Sequence, residues 1–310
     1  MSLKIEDHKN SKRVKVIKIP EEDLDRLVFP FKKHSITSLE YKPFSRFTLA
    51  KSLDEVFENK LGTTLNQILN DRKTGTVIIK HANPCGVSVN KNKIERFISE
   101  VNYPISYFDF ETFTDAVPIY DKQRPHMQMP FQYSLHIQNE RNEELRVNDN
   151  HFEFIADPEQ DPRRSLAESM IKNFPKKGTI MAYNESFEKK CIESLAEYCP
   201  DLEKELLGLN ERFLDLIKPF RGGGYYDPRF KGSFSIKKVL PAVCPDNPEL
   251  DYGALAISNG GMAMNAFKEM RDNSSKRNNN SIRAELFEYC RLDTYAMYAI
   301  FNKLLSIVDA

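Results

Sequence analysis

The chain has no tryptophan, few cysteines and no excess of either charge. An odd number of cysteines, five in 310 residues and without a Cys-x-x-Cys pair, argues against both a disulfide framework and a zinc ribbon. We therefore expect a cytoplasmic protein. The 45 Lys and Arg residues balance the 45 Asp and Glu residues, so the formal net charge is +0. A nucleic-acid partner would have to meet a local patch rather than a basic surface.

Long hydrophobic runs are also absent. The longest charge-free stretch, residues 252–267, is interrupted by Ser, Asn and Gly, so it cannot form a membrane span. Residues 1–13 are polar and lack an apolar centre, and we expect no secretory signal there. Hydrophobic residues make up 40% of the chain and charged residues 29%, as in a globular protein with one large domain or two smaller ones.

Alternating apolar residues predict a sheet in the second part of the chain. The predicted strands cover 105–110, 130–138, 152–156 and 178–183. Apolar residues at helical spacing predict helices over 93–101, 163–174, 187–198 and 281–308. This order predicts an α/β fold, a mixed sheet flanked by helices. Residues 218–248 are predicted to form mostly a loop, with a helix that starts at Ser235. Residues 271–280 are predicted to form a polar loop. A helix over 52–69 and a strand over 76–79 predict a smaller α+β region before the sheet.

Two carboxylates lie at the end of the first predicted strand of the sheet. Asp109 and Glu111 are two residues apart and therefore share a face, while Phe108 and Phe110 point to the other. Two like charges so close repel each other unless a cation lies between them, and oxygen ligands suit Mg²⁺ or Mn²⁺. The alternative is a strand whose acidic end reaches solvent.

Two later segments carry further polar residues. Asn184 ends a predicted strand, and Glu188 falls in the first turn of the next helix, with Ser186 as the expected N-cap. The helix dipole alone would favour an acidic residue there. Tyr289 and Asp293 are four residues apart and share one face of the C-terminal helix. An unpaired carboxylate on an inward-facing stripe is costly, so Asp293 must meet a cation or solvent.

The order of these motifs is informative. D-x-E on a strand, N-x-x-F-E at a strand-to-helix junction and Y-x-x-x-D in a late helix resemble the DEDD 3′–5′ exonucleases, which have a ribonuclease-H-like fold. The tyrosine four residues before the last aspartate resembles their DEDDy branch, since Glu288 stands where the other branch has histidine. Residues 94–310 resemble more closely an uncharacterised bacterial family, the domain of unknown function 2779. The segments that carry this resemblance are 107–112, 130–136, 183–189, 232–242 and 289–294.

The resemblance implies a function and a division of the chain. It implies a metal-dependent 3′–5′ exonuclease that cleaves single-stranded DNA or RNA from its 3′ end. Tyr289 would position the attacking water, and two divalent cations, Mg²⁺ or Mn²⁺, would be held by Asp109, Glu111, Glu188 and Asp293. The exonuclease-like domain would span 94–310, after an N-terminal region, 1–93, of unassigned role. The family's domain often follows another nuclease module, so association with such a module is a further expectation.

This sequence departs from the exonuclease pattern in two ways. Glu188 stands where the superfamily usually has aspartate, and an insertion around 201–280 lengthens the path to Asp293. Both features favour the alternative function, a catalytically weak domain that binds nucleic acid or a protein.

Several further residues are candidates for substrate binding. Gln132 shares a strand face with Ser134 and His136, and a lone histidine on a strand is more often a structural group than a catalyst. Arg221 precedes a Gly-rich turn followed by two tyrosines, a combination that fits a phosphate and a base, or equally an ordinary surface loop. The set of predicted substrate-binding residues is Asn184, Gln132, Lys237, Lys238 and Arg221.

One motif in the first hundred residues resembles a different enzyme. Residues 80–86, Lys-His-Ala-Asn-Pro-Cys-Gly, resemble the K-H-x-N-P-C-G motif of the formyltransferase of purine biosynthesis. The chain shows none of that enzyme's other segments, and a strand ending in an Asn-Pro turn explains the same residues. We therefore favour the turn.

Overall fold

The computed structural model describes residues 87–245, 247, 250–272 and 277–309, and the backbone of residues 15–17 and 77–79. The chain divides into two compact units, Met1–Val89 with Tyr225–Ser233, and Asn90–Gly224 with Phe234–Ala310. In the first unit, Lys15–Ile17 pairs with Val77–Ile79 and Ser88–Val89 pairs with Tyr225–Tyr226, both antiparallel. The predicted strand at 76–79 is thus confirmed. The predicted helix at 52–69 and the 80–86 motif lie outside the described residues.

A five-stranded mixed sheet forms the centre of the second unit. Its strands are β1 (Ile105–Phe113), β2 (Met129–Gln138), β3 (His151–Ile155), β4 (Thr179–Ala182) and β5 (Phe213–Asp215). Their spatial order is β3-β2-β1-β4-β5. The pairs β1–β2 and β2–β3 are antiparallel, whereas β4 runs parallel to both β1 and β5. This arrangement confirms the predicted mixed sheet.

Eight helices of the second unit are described. They are α1 (Lys91–Ser99), α2 (Pro162–Asn173), α3 (Ser186–Tyr198), α4 (Glu203–Asn210), α5 (Lys218–Arg221), α6 (Ile236–Val243), α7 (Gly260–Arg271) and α8 (Asn279–Asp309). None of the described helices is both long and apolar enough to cross a bilayer.

The two faces of the sheet carry separate cores. Phe108 and Phe110 pack with residues of α2, α3 and α4 on one face. On the other face, Phe131 stacks on Phe267 of α7 with 4.1 Å between ring centroids, beside apolar residues of α8. Because residues alternate along β1, the phenylalanines that fill the first core leave Asp109 and Glu111 on the opposite face. The alternation read from the sequence is confirmed.

One local prediction is wrong, and the structure adds detail to two others. Ser186 is the first residue of α3 rather than its N-cap; Glu185 holds that position without a side-chain cap. The segment 201–280 contains β5 and the helices α4 to α7, so it supplies a strand of the sheet itself. Within the predicted loop 271–280, α7 ends at Arg271 and α8 begins at Asn279.

Candidate functional site

One cavity of about 430 Å³ gathers the residues that the sequence singles out as catalytic. Asp109 and Glu111 reach it from β1, Glu188 from α3, and Tyr289 and Asp293 from α8. These residues are far apart along the chain, and they meet because α8 crosses the same face of β1 that carries the two acidic residues. The structure thus brings all five together.

The β1 pair lies where charge is hard to accommodate. Glu111 is 6% exposed, and Asp109 is partly exposed. Burial, with Asp293 as the strongest neighbouring anion, raises the pKa of Glu111 to about 8. The pKa of Asp109 is also raised well above its ordinary value, by burial first and by Asp293 next. Asp109 and Glu111 therefore favour either protonation or the binding of a cation.

Glu188 is delivered by a tight strand-to-helix turn. Asn184 adopts a left-handed φ of 78°. Its backbone N–H donates a hydrogen bond to Asp215 Oδ1 at 2.8 Å, which holds the turn between β4 and α3. Glu188 then lies in the first turn of α3 and is only 3% exposed. Its Oε2 atom is buried and has no hydrogen-bond partner among the residues that the structure describes. Burial raises the pKa of Glu188 to about 8. The extra methylene of glutamate still lets this carboxylate reach the cavity.

The α8 residues lie on one face, as their spacing predicts. Asp293 accepts a 2.5 Å hydrogen bond from the Tyr252 hydroxyl. Burial raises the pKa of Asp293 to about 6, although this hydrogen bond lowers it. Burial and the nearby carboxylates raise the pKa of Tyr289 above its ordinary value, so its hydroxyl stays protonated near neutral pH.

Lys237 brings a positive charge to the carboxylates. Its Nζ donates to the carbonyl of Ser258, lies 3.4 Å from the Tyr289 hydroxyl, and is 5.3 and 5.1 Å from the ring centroids of Tyr252 and Tyr289. This ammonium lowers the pKa values of Asp109, Glu111 and Asp293 without cancelling the effect of burial. Lys237 is the predicted substrate-binding residue that the structure places at the cavity.

The other predicted substrate-binding residues do not line this cavity. Gln132 is fully buried beneath α8, where its Nε2 donates to Leu286 O at 2.8 Å. Asn184, Arg221 and Lys238 are exposed and lie outside the lining. Gln132 thus lies in the packed interior, outside the lining of this cavity.

Sequence reasoning missed two glycines that line the cavity and a tyrosine, outside the lining, that contacts one of its carboxylates. Tyr252 holds Asp293, and Gly260 and Gly261 form the start of α7 beside Glu111. Asn259, the N-cap of α7, precedes the two glycines, and an Asn-Gly-Gly sequence before an apolar repeat is a helix-start signal that could have located them. Nothing local marks Tyr252, because its role depends on its contact with Asp293.

The donor set fits a hard divalent cation. Four carboxylates line the cavity, and the unpartnered Oε2 of Glu188 is an acceptor that a cation would satisfy. The ligand atoms of Asp109, Glu111 and Cys290 also lie within 4.8 Å of one another. Burial and the surrounding carboxylates raise the pKa of the Cys290 thiol well above its ordinary value, which disfavours the thiolate that a metal requires. Oxygen ligands therefore determine which metals fit.

Comparison with known proteins finds two family models that match parts of the chain. A family described as "Domain of unknown function (DUF2779)" matches residues 106–235, and one described as "CsiD" matches residues 3–116. The first match includes Asp109, Glu111 and Glu188, and it supports the resemblance to this family that the sequence motifs indicate.

A curated relative extends the similarity. The chain is 26% identical over 231 residues to the "Uncharacterized protein MG366 homolog" of Mycoplasma pneumoniae. The alignment covers 69% of this chain and 34% of that protein, so the chain spans about a third of the length of this relative. No solved structure matches the chain.

Proposed function

We propose that the protein is a metal-dependent 3′–5′ exonuclease that hydrolyses phosphodiester bonds at the 3′ end of single-stranded DNA or RNA. The observation that carries the proposal is the cavity itself. Four carboxylates from three elements line it, in the chain order of the DEDD motifs, and one of them has a buried oxygen that meets no partner within the described part of the chain. The mixed sheet flanked by helices supports the ribonuclease-H-like fold that goes with this activity.

The four carboxylates have the metal-binding role in this proposal. Asp109, Glu111, Glu188 and Asp293 would hold Mg²⁺ or Mn²⁺. A pair of such ions, when bound, supplies the Lewis acidity that activates a water and stabilises the leaving 3′ oxygen. Tyr252 fixes the carboxylate of Asp293 through its hydroxyl, so Asp293 has one oxygen already oriented before any ligand binds.

Two side chains act on the substrate. The raised pKa of Tyr289 keeps its hydroxyl protonated, so the tyrosine orients the attacking water by hydrogen bonding and does not remove its proton. Lys237 lines the cavity and its Nζ lies 3.4 Å from that hydroxyl, so its positive charge attracts the phosphate. Because the formal net charge is +0, these local contacts outweigh long-range attraction of the nucleic acid.

The alternative, a catalytically weak binding domain, is favoured by one observation. The ammonium of Lys237 lowers the pKa values of three of the carboxylates, so part of their repulsion is offset without any metal. Such a domain would bind an oligonucleotide and release no nucleotides.

Hydrolysis of a 5′-labelled single-stranded oligonucleotide distinguishes the two functions. With Mg²⁺ or Mn²⁺ the wild-type chain should produce a ladder that shortens from the 3′ end, and EDTA should stop it. Asp109→Asn should abolish the ladder, whereas Asp121→Asn, the same change at an exposed position, should not. Binding without metal-dependent shortening would establish the alternative.

A further inference from the structure

The N-terminus of α7 presents unpaired amides to the cavity. Asn259 caps this twelve-residue helix in an extended conformation, and its side chain accepts a hydrogen bond from Met262 N at 3.0 Å. The amides of Gly260 and Gly261 precede the first intrahelical hydrogen bonds. Neither has an acceptor in the part of the chain that the structure describes. Both glycines are exposed and line the cavity.

A second observation in the same cavity also indicates a missing ligand. Glu188 is 3% exposed and lines the cavity, and its buried Oε2 has no partner in the described ranges of the chain. The cavity therefore contains an unmatched acceptor on α3 and unmatched donors on α7. A phosphate that is itself bound to a divalent cation would satisfy both, because the cation meets the carboxylate and the phosphate oxygens meet the amides.

We propose that Gly260 and Gly261, together with Lys237, form the site that binds a phosphate group of the nucleotide substrate. The inference rests on the proposed function and specifies how a phosphate of its substrate is bound. The partial positive charge of a helix N-terminus favours an anion. Lys237 belongs to the same site because its Nζ donates to the carbonyl of Ser258, two residues before Gly260.

Glycine suits this approach of a ligand. A Cβ on Gly260 would lie 3.5 Å from Glu111 Oε2, and one on Gly261 would lie 3.2 Å from Asn259 Oδ1. A Cβ at Gly260 would therefore make an ordinary van der Waals contact, so a side chain is sterically possible there. Without side chains at 260 and 261, however, the backbone amides are more open to a bound phosphate.

A matched pair of variants isolates the amide of Gly260. Gly260→Pro removes the N–H, and proline is compatible with the first helical position because Asn259 is extended, at φ −159° and ψ 157°. Gly260→Ala adds a Cβ at the same place and keeps the N–H. Circular dichroism and the melting temperature check that both variants fold.

The probe is uridine 5′-monophosphate with Mg²⁺, and uridine is the control without phosphate. Titration calorimetry should show that Gly260→Pro binds the monophosphate about tenfold more weakly than Gly260→Ala, the loss expected for one charge-assisted hydrogen bond. Lys237→Met should also weaken it. In the wild-type chain, the amide resonances of Gly260 and Gly261 should shift with the monophosphate and not with uridine.

Equal affinities of the two Gly260 variants, unshifted amides, or no binding by the wild-type chain would overturn the inference. The oligonucleotide assay separates this outcome from failure of the proposed function. If the chain hydrolyses the oligonucleotide but the two Gly260 variants bind the monophosphate equally, the proposed function stands and the phosphate site is refuted. If the two variants differ in affinity but the chain hydrolyses no oligonucleotide, the phosphate site stands and the proposed function is refuted.

Discussion

Replacing Glu188 by Gln should stabilise the metal-free protein at alkaline pH. The fold raises the pKa of this carboxyl from 4.5 to about 8. When folding raises the pKa of an acid, its protonated form stabilises the folded state. This stabilisation is fully present below the pKa that the acid has in the unfolded chain, and it is lost as the pH rises through the pKa that the acid has in the folded protein. At ~1.4 kcal/mol per pH unit, the difference between 4.5 and about 8 sets an upper limit of about 5 kcal/mol.

The net effect is smaller because the glutamine amide is buried in turn. An unpaired buried amide costs about 1–3 kcal/mol, so we expect Glu188→Gln to gain roughly 2 kcal/mol at pH 8.5 in EDTA. The gain should vanish at pH 4.5, where the folded glutamate is protonated and only the cost of burying the amide remains. Urea unfolding at both pH values measures it, with Glu193→Gln, an exposed position of α3, as the matched control.

Saturating Mg²⁺ should reverse the order of stability. A ligand that binds only the folded state stabilises it, and Glu188 is one of the proposed ligands. The wild-type chain should therefore gain more from Mg²⁺ than Glu188→Gln. The reasoning would be refuted by a free energy of unfolding that stays constant from pH 4.5 to 8.5 in EDTA, or by a glutamine variant that is less stable at pH 8.5.

Three further substitutions test separate parts of the account. Tyr289→Phe should lower kcat roughly 10- to 100-fold with an unchanged melting temperature, because it removes only the hydroxyl that orients water; full activity would exclude that role. Tyr252→Phe removes the 2.5 Å hydrogen bond to Asp293, so the pKa of Asp293 should rise above about 6 and Mn²⁺ affinity at pH 6.5 should fall about tenfold, as calorimetry would show. Unchanged affinity would mean that the hydrogen bond does not support metal binding. Phe108→Ala, at a fully buried position, should cost about 3–5 kcal/mol in urea unfolding, and a cost below ~1 kcal/mol would contradict the packing described for this face.

The parts of the site that follow a short-range period could be predicted from the sequence. The alternation of Phe108 and Phe110 with Asp109 and Glu111 is a property of any strand, so it identifies which residues share a face. The four-residue spacing of Tyr289 and Asp293 does the same for a helix. These patterns are confirmed because local backbone geometry alone determines them.

The parts that depend on what covers a face could not be predicted. Gln132 pairs in register with Glu111, yet α8 covers it and its amide is used by Leu286, so a shared side of the sheet did not mean access to the cavity. Tyr252 reaches Asp293 from a segment 41 residues earlier in the chain. The short strand β5 has only three residues and carries too little alternation to be recognised.

The most direct test of the account is an anomalous difference map from crystals soaked in Mn²⁺. Two peaks about 3.5–4 Å apart are expected, in contact with the carboxylates of Asp109, Glu111, Glu188 and Asp293. An empty cavity at saturating Mn²⁺, or peaks only at other positions, would contradict the claim that these four residues form a metal centre.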